Sequence, residues 1–81
     1  MSRTLRSQRH EALRAFLVEK RKNAGLTQTQ VAAKLGRYQS FVATVEAGER
    51  RIDVVELVDL AEAIGFDPRE AVRRLISVRG K

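Results

Sequence analysis

The side chains best suited to chemistry in this sequence are hydrogen-bonding groups rather than catalytic ones. In the stretch 39–47, a helical projection turns Val42 and Val45 inward and Ser40, Thr44 and Ala47 outward, with Gln39 at the exposed start. A surface helix usually carries several charges outside; this one shows small polar groups and one aromatic. Such a face suits close approach to base edges. Gln can bond adenine bidentately, Ser and Thr can bond either base type, and Phe41, on the flank beside Ala43, can touch a thymine methyl. Arg37, Arg50 and Arg51 flank this stretch and are candidates to hold phosphates. Tyr38 stands in the preceding turn, where its hydroxyl can reach a phosphate or its ring can lie beside a sugar. Phosphate contacts fix register, and base contacts specify sequence.

Other chemistries lack their parts. There is no Cys and a single His in 81 residues, which excludes disulfides and Cys-based zinc sites. No Gly-rich phosphate loop, Ser-His-Asp set or Cys nucleophile appears, so an enzyme is not expected. His10 lies near a chain end and is expected to face solvent. Asp53, Glu56, Asp59 and Glu62 make a stripe on one helix, but a divalent ion needs converging ligands, so they are expected to form a solvated face. No metal or cofactor is expected.

The formal net charge of +6 calls for an anionic partner, nucleic acid before an acidic membrane surface. The charge is unevenly spread. Arg3, Arg6, Arg9, Arg14, Lys20, Arg21 and Lys22 face only Glu11 and Glu19 in the first part, whereas residues 53–62 carry acids and no base. One face is thus expected to meet a polyanion and another to turn away from it. No apolar stretch approaches the ~20 residues that span a bilayer, and the basic N-terminus has no apolar run behind it. A reducing, cytoplasmic setting is expected.

The elements that must position these groups are all helical. Hydrophobic residues make up 43%, enough for one core, and β-branched alternation is scarce. A first helix is expected over about 7–23, with Leu13, Phe16, Leu17 and Lys20 on one stripe and Gly25 after its end. Thr27 and Gln30 form a capping box that opens a second helix, closed by Gly36. The third runs over about 39–47 and stops at Gly48. Asp53 caps a fourth, whose buried stripe is expected to be Val54, Leu57, Leu60, Ala61 and Ile64. Asp67-Pro68 opens a fifth, with Val72, Leu75 and Ile76 on its apolar side. Residues 1–6 are expected to be a flexible basic arm, 7–78 the folded domain and 79–81 a tail.

The short link Gly36-Arg37-Tyr38 forces a sharp crossing between helices two and three and sets the third forward, able to enter a major groove. At this point the sequence resembles a known family. Leu26-Thr27-Gln28, Val31-Ala32, Leu35-Gly36, Gln39-Ser40-Phe41-Val42 and Glu46-Ala47-Gly48-Glu49-Arg50-Arg51 are similar to the Xre family, which includes the lambdoid phage repressors and Cro proteins. The resemblance spans roughly residues 10–76. It implies an all-α, five-helix DNA-binding domain with a helix-turn-helix at helices two and three, acting as a homodimer on a near-palindromic operator.

The resemblance also implies roles by position. Gln39, Ser40 and Thr44 match base-reading positions. Gln28 matches a residue that touches the DNA backbone and braces the third helix, and a helix N-terminus does offer free N–H groups to a phosphate. Glu46 matches the acid of an internal ion pair whose base here is Arg21. Two departures stand out. Tyr38 replaces the small or Pro residues frequent there, and Ala43-Thr44 replace longer donors, which shifts weight toward phosphate contacts and DNA shape. Leu75, Ile76 and Val78 extend the apolar surface of helix five and are candidates for a dimer interface. The expected function is sequence-specific double-stranded DNA binding by a small transcriptional regulator. The alternative on the same fold is a protein-interaction module, such as an antitoxin meeting a toxin through helix four and the apolar tail.

Overall fold

The computed structural model describes residues 7–78; the expected arm 1–6 and tail 79–81 lie outside the described residues. Five helices account for the described regular structure: α1 (Gln8–Asn23), α2 (Gln28–Leu35), α3 (Gln39–Glu46), α4 (Val54–Ile64) and α5 (Pro68–Ser77). Local chemistry sets most of the boundaries. Ser7, Thr27, Asp53 and Asp67 cap α1, α2, α4 and α5 by accepting from backbone N–H groups one turn or less ahead. At α2 the cap is reciprocal, with Gln30 accepting from the Thr27 N–H at 2.9 Å. Pro68 occupies the first position of α5, where its missing N–H costs nothing.

The turn between α2 and α3 depends on Gly36. Its φ of 69° lies in the left-handed region, which lets the Arg37 N–H turn back to the Ala32 carbonyl at 3.0 Å and reverse the chain in one step. The compact turn brings α3 down across α2. Both rest on a core of Phe16 and Leu17 from α1, Val31 and Ala32 from α2, Val42 and Val45 from α3, Leu57 and Leu60 from α4, and Ala71 from α5.

Two amphipathic readings shift by one position. Val54, expected at the head of the α4 stripe, is 75% exposed, because the first helical residue overhangs the end of the core. On α5 the inward face centres on fully buried Ala71, with Leu75 and Val78 half-buried, while Val72 and Ile76 face out. A small residue there lets α5 lie close against α1, and the Lys20–Glu70 ion pair at 3.1 Å joins the two helices.

Candidate nucleic-acid interface

The outer surface of α3 follows from its inner one. Val42 and Val45 are buried, which leaves Gln39 and Ser40 exposed at the N-terminal end and Thr44 half-buried beside them. The Thr44 hydroxyl turns back onto its own helix, donating toward the carbonyls of Ser40 at 2.9 Å and Phe41 at 3.0 Å. Its proton is therefore committed to the helix backbone, which leaves the hydroxyl oxygen able to act only as an acceptor. Tyr38 is 86% exposed in the turn.

Phe41 does not belong to this outer set. It is 8% exposed and sits in the core cluster, so it is not presented to base edges as the projection suggested. The reason is its partners. The Arg37 guanidinium lies 3.8 Å from the ring centroid and that of Arg50 4.9 Å from it, and together they cover the flank. The sequence held the signal, because Phe41 and Val45 are four apart and share a helix face.

Gln39 is held in place by a relay of side chains. Its amide N–H donates to Gln28 Oε1 at 2.7 Å, and Gln28 Nε2 donates in turn to Glu46 Oε1 at 2.8 Å. Glu46 receives Arg21 through Nε at 2.6 Å and Nη2 at 3.0 Å. Arg21 Nη1 then donates to the Leu26 carbonyl at 2.8 Å. The hydrogen bond to Glu46 holds the Arg21 guanidinium above its already high ordinary value, so the guanidinium keeps its charge. Thus α1 fixes the far end of α3, and α2 carries the constraint back to its near end.

Two more groups on α1 secure that far end. Arg14 donates to the Glu46 backbone carbonyl at 2.9 Å. His10, expected to face solvent, is 6% exposed, with Nε2 3.2 Å from the Gly48 carbonyl. The Ser7 cap fixes the first turn of α1, so His10 is held against the end of α3 instead of fraying away.

The flanking arginines divide. Arg51 is exposed. Arg37 and Arg50 both reach Glu56 Oε2, at 3.5 and 2.7 Å. The acidic stripe is therefore only partly a solvated face: Asp59 and Glu62 are exposed, but Glu56 is half-buried and engaged. Its other oxygen accepts the Asp53 N–H at 3.0 Å, completing a capping box for α4. That backbone bond, followed by the arginines, holds its carboxyl below the ordinary carboxylate range against the opposing effect of burial. Sequence reasoning missed this role, although the D-x-x-E spacing at the head of α4 carried it.

The start of α3 is chemically open. Tyr38 holds the N-cap position with extended backbone but no side-chain cap. Tyr38→Ser supplies a hydroxyl acceptor in a compatible conformation and is expected to stabilise the fold by about 1 kcal/mol. Thermal unfolding followed by circular dichroism checks this; an unchanged midpoint would show that these amides gain nothing from a cap.

A helix-turn-helix domain family matches residues 1–75. The HTH-type transcriptional regulator y4dJ of Sinorhizobium fredii, itself uncharacterized, is 38% identical over 52 residues, covering 64% of this chain and 68% of that protein. Among solved structures, an XRE-family like protein from Pseudomonas syringae is 46% identical with a TM-score of 0.80, covering 85% of this chain and 84% of its own. The restriction-modification controller protein C.AhdI from Aeromonas hydrophila is 34% identical with a TM-score of 0.71, covering 76% and 94%. The clp gene regulator ClgR from C. glutamicum shares the fold at 20% identity and a TM-score of 0.76, covering 84% and 88%.

Proposed function

Since the chain belongs to the XRE family of helix-turn-helix transcriptional regulators, we propose that it reads a specific duplex DNA site through the N-terminal half of α3, as a homodimer on a near-palindromic operator. The observation that carries this reading is the state of Gln39. One amide N–H is spent on Gln28. The other N–H and Oε1 remain as a donor–acceptor pair, which matches N7 and the N6 amino group of adenine. A side chain held this way loses little conformational freedom on binding.

Ser40 and Thr44 read neighbouring positions, Thr44 as an acceptor. Gln28 keeps a second amide N–H for a phosphate. Tyr38 and Arg51 approach the backbone on either side of α3, with Arg37 and Arg50 behind them. Two copies place their third helices about 34 Å apart, one turn of DNA. The pairing face we favour is the outer strip of α5, where Val72 is 47% and Ile76 70% exposed, with half-buried Leu75 and Val78 at its edge. A regulator of this kind works in the cytoplasm, and its role is occupancy of DNA without chemical turnover.

Selection of bound duplexes from a random pool, followed by salt titration of the winner, tests the proposal. A symmetric consensus with half-sites one turn apart is expected. Gln39→Ala is expected to erode preference at one base pair by about 1–3 kcal/mol. Arg51→Ala is expected to weaken all duplexes alike and flatten the log–log salt slope by about one. No enrichment, or equal losses on specific and random DNA for both variants, overturns the reading.

A further inference from the structure

One carboxylate oxygen of Glu56 receives two guanidinium groups that also cover one aromatic ring. Arg37 comes from the turn before α3 and Arg50 from the segment after it, and both converge on Oε2 and on the Phe41 ring. Two cations drawn to one ring repel each other, and Glu56 offsets that repulsion from α4. Its backbone cap to Asp53 keeps the carboxylate from following either arginine outward. Both arginines remain 42% exposed, so part of each guanidinium still faces water.

We propose that Glu56 is a specificity-setting positioning residue. It holds Arg37 and Arg50 in fixed places on either side of α3, so that they meet DNA phosphates only in the register that a specific site imposes. On random DNA, where no register is imposed, a braced arginine misses phosphates that a free one would find. The carboxylate therefore limits non-specific affinity more than operator affinity. This inference rests on the DNA-binding reading above and concerns a residue that the reading leaves off the DNA.

Glu56→Gln isolates the effect. A glutamine keeps the oxygen that accepts the Asp53 N–H, since Gln serves a capping box as Glu does. What it loses is the charge that grips the arginines. Each newly mobile arginine adds up to one phosphate contact on random DNA, and each contact steepens the log–log salt slope by about 0.9. One added contact corresponds to about fivefold tighter random-duplex binding near ~0.15 M salt. The operator-to-random ratio falls by a similar factor. Glu62→Gln is the control, because it removes the same charge from an exposed position on the same helix.

The experiment measures Glu56→Gln, Glu62→Gln and wild-type protein on the selected operator, on a random duplex and on a heparin column. It repeats the Glu56 change in an Arg37→Gln/Arg50→Gln background. Tighter random-duplex binding, later heparin elution than Glu62→Gln, and loss of both effects without the arginines are the expected results. Equal shifts in the two glutamine variants would overturn the proposal by reducing Glu56 to one unit of net charge. Persistence of the effect without the arginines would overturn it too. Should wild-type protein enrich no duplex, the DNA reading fails by itself, and the heparin comparison still decides whether Glu56 restrains the arginines.

Discussion

Glu46→Ala is expected to destabilise the protein by about 3–5 kcal/mol, the range for removing one partner of a buried, hydrogen-bonded ion pair. Glu46 is 8% exposed, and its carboxylate takes three hydrogen bonds, two from Arg21 and one from Gln28. Removing it strands a guanidinium that is only 11% exposed and an amide N–H beside it. A small domain has roughly 5–15 kcal/mol in total, so this loss is a large share. Urea unfolding at neutral pH checks it.

The companion experiment separates stability from recognition. Arg21→Met with Glu46→Leu replaces the pair by apolar groups of similar reach, a change that is often neutral or stabilising. That double variant is expected to recover most of the lost stability. It leaves Gln28 without its acceptor, so discrimination by Gln39 is expected to stay impaired. Full recovery of both properties would show that the relay contributes nothing to reading DNA.

Phe16→Ala carries the second large effect, about 3–5 kcal/mol, from lost apolar burial and the cavity left behind. The ring is fully buried and meets the edge of Phe66 at 5.2 Å between centroids, at an interplanar angle of 85°. Lys20 and Arg74 lie over it at 5.4 and 5.1 Å, so one side chain ties α1, α5 and the segment before α5 together. Phe16→Leu retains most of the apolar volume and is expected to cost much less. Chemical denaturation gives both values. Under conditions where circular dichroism shows the alanine variant folded, its operator preference is expected to match wild type, because Phe16 lies outside the relay. A changed preference would place the core in the reading of sequence.

Much of the fold was legible because its boundaries are local. The Thr27–Gln30 box, Gly36 and Asp67-Pro68 each act within one turn of chain, and the helices begin and end beside them. What failed to show was which neighbour covers a given face. Spacing puts Phe41 on the face of Val45, four residues on, but the groups that cover its ring come from Arg37 and Arg50, outside its helix. His10 read as frayed because its partner, the Gly48 carbonyl, lies 38 residues along the chain. Glu56 read as one member of an acidic stripe because its geometry belongs to the α4 cap and its charge to two arginines elsewhere. At the site, residue types pointed to hydrogen bonding at α3, whereas the hydroxyl direction of Thr44 and the bracing of Gln39 are three-dimensional facts.

The relay also bears on how such a protein can be retargeted. Gln39 is oriented by Gln28 on α2, which is oriented by Glu46 at the opposite end of α3, which is anchored on α1. A grafted third helix that brings new outward residues but lacks an acid at its last position would arrive without its anchor. One that lacks an amide at its first would leave Gln28 idle. On the proposed reading, new binding preferences would be reached more readily by varying Ser40, Ala43 and Thr44 within the existing frame than by exchanging α3 as a cassette, and positions 21, 28, 39 and 46 would have to change as a set.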